Sequence, residues 1–496
     1  MDSLTAYKAH LAEIAKLHSA QALLGWDQHT HMPKKGVTAR AQVAGKLSKM
    51  AFELFVSDKM GEYLEELEKK DGLSLEEKAS VRRVGRDYRR HKAVPPALIE
   101  EFTIARSEAQ SAWVKAREIS DFSVFRPHLE KIIDYVRRFA DYFGYEEEPY
   151  DALLEEYEPG MTSERLREII APLRNELVPF LKRLIDDGTK PSADVWKGTF
   201  DVETQRSLAK RALEIIGYDF SAGALDDVAH PFTTTIGPGD VRVTNRYLED
   251  APLSGLFAAL HEGGHALYNQ GMGEELYYLL LADGASHGIH ESQSRMIENQ
   301  IGRSRPFWHF FQPILAEYFP QFTNVDPDVL YRSANIVEPS FIRVEADEVT
   351  YNFHIMLRFE LESGLIEGSI KVSDLPDLWN EAMERYLGIT PPDDAHGVLQ
   401  DVHWSMGSFG YFPSYMLGNL YAAQIFARLR SDLPELDEKI ASGDFEPLLS
   451  WLRENIHRSG GIYDPNDLIE RITGEGLNPS YFVSYVTDKY SEIYRL

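Results

Sequence analysis

Along most of the chain, apolar residues recur at helical rather than strand spacing. In 201–217, Leu208, Ala212, Ile215 and Ile216 fall at i, i+4, i+7 and i+8, with Gly217 as the stop signal, which predicts a helix. Thr162 or Ser163 stands where it can cap a helix running through Leu166, Ile169 and Ile170. Segment 340–363 has Ser340 as cap candidate, apolar positions at Phe341, Val344, Val349, Phe353, Met356 and Leu357, and Gly364 at its end. Pro95-Pro96 opens a further helical segment. The charge run around Glu62–Lys78 reads as the solvated side of a helix.

Two β-prone runs interrupt this pattern. Val228–Thr235 and Val241–Tyr247, rich in Thr, Val and aromatics, flank Ile236-Gly-Pro-Gly-Asp240, the signal of a hairpin. In the second run Val241 and Val243 share one face and Arg242 and Thr244 the other. Periodicity alone reads Arg242 as a surface arginine on an edge strand.

Length and charge narrow the picture. At roughly 150 residues per domain the chain suggests about three domains, but one large helical unit also reaches 496 residues. Neither an internal repeat nor a low-complexity linker offers a place to cut it. With 52 basic and 79 acidic residues the net charge is −27, which repels phosphate backbones and anionic lipid, so nucleic-acid and membrane-surface roles are set aside. The chain contains no cysteine, so any metal must be held by His and carboxylates. No apolar run approaches the roughly 18 residues of a spanning helix, and the acid- and lysine-bearing start lacks a signal-peptide core. A soluble, cytoplasmic protein is expected.

The chemistry concentrates in Leu256–Gln270, which contains His261-Glu262-Gly263-Gly264-His265. On a helix, i and i+4 put both imidazoles on one face, one turn apart, where they can share a tetrahedral metal. Glu262 lies about 100° round the helix, within reach of a water on that metal, whose proton it can take as the water attacks a carbonyl. With 16 His in 496 residues, only about 0.04 such motifs are expected by chance. Gly263 and Gly264 each cost a plain helix about 1 kcal/mol relative to alanine, which points to close approach of a substrate or a neighbouring backbone. A catalytic site needs a third protein ligand, and the next dense cluster, His287-Gly-Ile-His290-Glu291, offers Glu291, with His290 and His287 as rivals. His29 and His31, for which no acid partner is identifiable, read as structural.

Six short motifs, in order over essentially the whole chain, resemble the thermostable metallocarboxypeptidases of the Taq carboxypeptidase type. They are His230-Pro-Phe232, Asp240-Val-Arg242-Val-Thr244, His261-Glu-Gly-Gly-His265, His290-Glu-Ser-Gln293, Ile342-Arg343-Val-Glu-Ala346-Asp347 and Gly397-Val-Leu-Gln400-Asp401-Val-His403-Trp404. The resemblance implies a mainly α, zincin-type (gluzincin-like) fold with a deep groove and a small sheet beside the metal. It would span 1–496 as a single catalytic unit, with two helical lobes flanking the groove as the variant. It implies an enzyme carrying one zinc or cobalt ion, commonly a homodimer, that releases single residues from peptides with a free C-terminus. It places the third ligand on Glu291 and the general base on Glu262.

A C-terminal exopeptidase must grip a carboxylate, and arginine binds one bidentately, so Arg343 and Arg242, each inside a motif, are the candidates. Asp347, at i+4 from Arg343, stands where it can orient or neutralise the guanidinium. His230, in the first motif, joins them as a substrate-binding candidate. The region from His403 to Tyr415 looks like the corresponding part of related zinc oligopeptidases and makes His403 and Tyr411, then Tyr415, candidates for stabilising the oxyanion. The alternatives are a zinc endo-oligopeptidase with the same metal chemistry and a non-catalytic peptide-binding protein on a protease scaffold.

Overall fold

A computed structural model describes residues 2–496. They form two compact units, each assembled from three stretches of chain. The first comprises the described residues up to His91, Ser192–Ala334 and Ile425–Gly476; the second comprises Lys92–Pro191, Asn335–Gln424 and Leu477–Leu496. Because the chain crosses between units several times, no linker sequence marks a boundary.

In the first unit, Tyr7, Leu11 and Ile14 of helix Ser3–Thr30 meet Met60, Leu64 and Leu67 of helix Asp58–Leu67 in one buried cluster. Glu62, Glu65 and Glu66 of the second helix stay exposed, as the charge run predicts. Helix Val202–Ile215 begins at Asp201, whose carboxylate accepts from the Thr204 N–H at 2.8 Å, and buries Leu208 and Ala212. Gly217, at φ +95°, sits in the left-handed region that glycine enters without strain and ends the segment.

The hairpin is present and carries one more strand. β1 (Leu225–Asp227), β2 (Thr233–Gly237) and β3 (Asp240–Asn245) form a sheet in the order β1-β3-β2, with β3 parallel to β1 and antiparallel to β2. Pro238-Gly239 makes the corner, with Gly239 at φ +75°, the residue order of a type II turn. Two details differ from the alternating pattern. Arg242 lies on the central strand, not an edge, and two polar side chains are fully buried, Thr244 on the nominally polar face and Asn245 on the face of Val241 and Val243. Their polar atoms are satisfied: the Thr244 hydroxyl bonds the backbone of Phe232, and the Asn245 amide donates to the Gly255 carbonyl of the next helix at 2.9 Å.

In the second unit, Thr162 accepts from the Arg165 N–H and caps helix Ser163–Asp187, and Pro96 starts helix Pro96–Ile119. The helix expected over 340–363 is displaced. Arg343–Glu345 is a single 3₁₀ turn, and the α-helix runs from Tyr351 to Glu367. Asp347 sets its start by accepting from the N–H groups of Val349 and Thr350 at 2.9 and 3.0 Å. The helix passes through Gly364, where a Cβ would stand 2.5 Å from the Ile370 side chain, and stops at Gly368, φ +92°. It is buried nearly all round, and His354, Arg358 and Glu362, four residues apart, form a polar stripe along it.

Candidate active site and metal centre

The metal-motif helix runs Pro252–Gln270 and ends at Gly271. The next long element begins at Ser286, whose hydroxyl accepts from the Ile289 N–H, and runs as helix His287–Arg295 into a π-helical segment, Met296–Gly302. The two elements touch at Gly264. A Cβ there would lie 2.5 Å from the Gln293 carbonyl oxygen and 2.6 Å from Ser294 Cα, so the close approach that Gly264 permits is to neighbouring backbone. At Gly263 a Cβ would meet Leu213 and Ile216 at 2.7 Å. Gly264→Ala should therefore push the second helix off the first, lowering stability by about 1–3 kcal/mol and loosening metal binding, read by thermal melts and chelator competition.

This crossing brings His261, His265 and Glu291 together, with one donor atom of each within 4.8 Å of the others. Glu291 Oε2 lies 3.6 Å from His261 Nε2 and 3.4 Å from His265 Nε2. The other nitrogen of each ring is occupied. His261 Nδ1 lies 3.0 Å from Glu298 Oε2, an acceptor, so His261 carries its proton there and Nε2 keeps a lone pair. His265 Nδ1 lies 2.6 Å from His290 Nδ1, and His290 Nε2 lies 2.8 Å from Asn269 Oδ1. With His290 donating to Asn269, it accepts from His265, and the Nε2 of His265 is likewise free to bind an ion. His290 thus stands behind a ligand position, and the converging donors do not include His287. Burial pushes the Glu291 carboxyl up, but the Arg295 charge, with the His261 and His265 rings beside it, outweighs it and holds it well below the usual range. Two imidazole lone pairs and an ionised carboxylate aimed at one point fit a single divalent ion.

Glu262 is 7% exposed, and the Thr233 hydroxyl on β2 lies 2.7 Å from its Oε2 and 2.9 Å from its carbonyl. The sheet therefore fixes the carboxylate that follows the first histidine. On the same sheet Arg242 is paired bidentately with Asp240, both bonds 2.7 Å, and lies over the Trp26 ring at 4.3 Å. His230 is exposed between β1 and β2. His31 does have an acid partner, Asp226 on β1 at 3.1 Å, and His29 packs edge-on against Phe232.

A second cluster forms within the other unit. Arg343, 5% exposed, donates from Nε and NH2 to Asp401 Oδ1 at 3.2 and 2.9 Å and from NH1 to the Tyr351 hydroxyl at 2.8 Å. Arg358 holds the other Asp401 oxygen at 2.8 Å, and Gln400 Oε1 accepts from both the Arg343 backbone N–H and Arg358. Asp347, bonded to backbone N–H groups, takes no part, because 343–350 is not α-helical and i+4 does not face i there. Burial raises Asp401, and the charges of Arg358 and Arg343 overcome it and keep it ionised. Two guanidiniums thus share one carboxylate. His403 stacks among Tyr411, Phe412 and Tyr415, at 5.4, 4.5 and 6.3 Å between ring centres, and Tyr415 lies 4.7 Å from the Arg343 guanidinium. Burial, opposed by Asp401 but reinforced by the two arginines, lowers His403 to about 4, so it is neutral at pH 7. Its Nδ1 is buried without a hydrogen-bond partner among the described residues.

The chain matches the family model described as Carboxypeptidase Taq (M32) metallopeptidase over residues 6–490. It belongs to that family. The sequence is 44% identical over 488 residues to Carboxypeptidase 1 of Bacillus subtilis (strain 168), covering 98% of this chain and 97% of that one. It is 42% identical over 473 residues to Thermostable carboxypeptidase 1 of Pyrococcus furiosus, covering 95% of each. Its fold superposes on the M32 carboxypeptidase of Deinococcus radiodurans R1 with a TM-score of 0.97 at 37% identity, covering 100% of both chains. This M32 chain is a metal-dependent carboxypeptidase, a peptide hydrolase with a mainly α fold and a small sheet.

In this M32 carboxypeptidase, sequence motifs single out the converging donors and, among the groups that hold them, only His290. Glu298 sits seven residues beyond Glu291, on the same helical face, a spacing that would have drawn attention to it. Thr233, Arg358 and Glu362 carried no signal in the local pattern. Glu362 accepts from Tyr150, Trp404 and the Gly410 N–H at 2.6, 2.8 and 3.1 Å and so ties down both ends of the segment 404–410 that follows His403. Burial raises it to about 7, against those three donors.

Proposed function

We propose that the enzyme releases single residues from the C-termini of peptides, with one divalent ion, zinc or alternatively cobalt, held by His261, His265 and Glu291. The observation that carries this is the convergence of two imidazole nitrogens and one carboxylate oxygen on a common point, with both remaining ring nitrogens engaged elsewhere. When bound, the ion supplies Lewis acidity, polarising the scissile carbonyl and acidifying water. Glu262, its Oε2 held by Thr233, takes the proton of the attacking water and returns it to the leaving amine. His403, neutral beside Asp401, donates to the oxyanion, with Tyr411 and then Tyr415 as its aromatic neighbours in that role.

Arg343 grips the terminal carboxylate in this reading. Three hydrogen bonds engage three of its five N–H groups, which leaves a donor on each terminal nitrogen for a forked contact. Arg242 and His230 join peptide binding through their motifs, Arg242 with the smaller part because Asp240 already occupies its fork. β2, at the sheet's edge, pairs with the substrate main chain. Residues 1–496 act as a single catalytic unit in the cytoplasm, and the family resemblance supports a homodimer. Digestion of a peptide ladder with free and amidated C-termini, read by mass, tests the proposal. Stepwise loss from free ends only, stopped by chelator, is expected. Internal cleavage irrespective of the end would make the chain an endo-oligopeptidase, and no cleavage a binding protein.

A further inference from the structure

Behind the proposed ligands lies a closed ring of charge that the six motifs do not account for. Glu291 turns Oε2 towards the two histidines, while its other oxygen, Oε1, accepts from Arg295 Nε at 2.6 Å. Arg295 is one helical turn beyond Glu291, and its NH1 reaches Glu298 Oε2 at 3.4 Å. That oxygen also takes the His261 Nδ1 proton at 3.0 Å, while Glu298 Oε1 takes Arg303 NH2 at 3.2 Å. The path His261–Glu298–Arg295–Glu291 therefore starts and ends on two ligand candidates. All four side chains are under 20% exposed.

Glu291 and Glu298 contribute two negative charges and Arg295 and Arg303 two positive ones, so the ring is neutral before any ion arrives. A carboxylate free at both oxygens can bind a divalent ion through one oxygen or through both. Here the second oxygen is engaged by a charge-assisted bond from a side chain that Glu298 holds in place. We propose that Arg295 is a positioning residue that confines Glu291 to coordination through one oxygen, keeping the ion's coordination number low and its remaining surroundings open to substrate. The inference rests on the reading of His261, His265 and Glu291 as the ligands.

The test uses the full chain loaded with Co²⁺, whose visible absorption weakens as coordination number rises from four. Arg295→Met removes the clamp while Glu298 keeps His261 and Arg303. The variant should still bind one Co²⁺ per chain, with a weaker visible band and an affinity, by chelator competition, no lower than that of the parent. Arg295→Lys, which restores the charge and one donor, should return the band towards the parent's. An unchanged spectrum in Arg295→Met overturns the inference. So does an affinity about 10–100-fold weaker, the result for a residue that merely orients a ligand. Should the parent itself fail to bind one Co²⁺, the three-ligand reading falls, and this inference with it.

Discussion

Replacing Glu262 with glutamine should lower kcat by about 10²–10⁴-fold while leaving one divalent ion bound per chain. Glutamine keeps the length of the side chain and an oxygen that can accept from Thr233, so the helix and the sheet contact persist. It cannot take a proton. Because Glu262 is not among the three converging donors, chelator competition should give the parent's metal affinity. The pairing of results matters: a fall in kcat with KM little changed marks an interaction made in the transition state. Turnover within a few-fold of the parent would remove Glu262 from the base role.

The metal helix was legible because everything that defines it is local. His261 and His265 share a face through helical geometry, the apolar positions fix the buried side, and Gly271 closes it. The hairpin was legible for a similar reason, since β-prone runs around Pro238-Gly239 specify a corner without help from the rest of the chain. Local pattern misled where tertiary contacts decide. Gly364 has the composition of a stop signal, yet it lies inside a helix because the Ile370 side chain occupies the space a Cβ would need. Arg343 and Asp347 have the spacing of an ion pair, but the chain between them is a 3₁₀ turn followed by extended backbone, so the pair does not form.

The partner Arg343 does have, Asp401, lies 58 residues downstream, and no periodicity links the two. Both stand inside quoted motifs, which marks each as notable without saying that they meet. Domain organisation was illegible for the same reason. Each unit is made of three separate stretches, so its boundaries fall within continuous helical sequence such as Pro413–Asp432.

Arg343→Met should lower kcat/KM for peptides with a free C-terminus by about 30–5,000-fold, since losing one partner of a desolvated, hydrogen-bonded charge pair costs roughly 2–5 kcal/mol. The decisive readout is comparative. Peptides with an amidated C-terminus, expected to be poor substrates of the parent, should lose far less, so the preference for the free acid should collapse. The fold has reason to survive the change: Asp401 keeps two bonds from Arg358, and Gln400 keeps its own to Arg358 and to the Phe341 carbonyl. Arg343→Lys retains the charge but not the fork and should fall between the two. Arg242→Met provides the contrast, because its guanidinium is spent on Asp240 and Trp26, and it should leave the acid-over-amide preference nearly intact. Equal losses on free and amidated peptides with Arg343→Met would mean that Arg343 only braces Asp401 and the 400–403 turn, and the carboxylate would have to be gripped elsewhere.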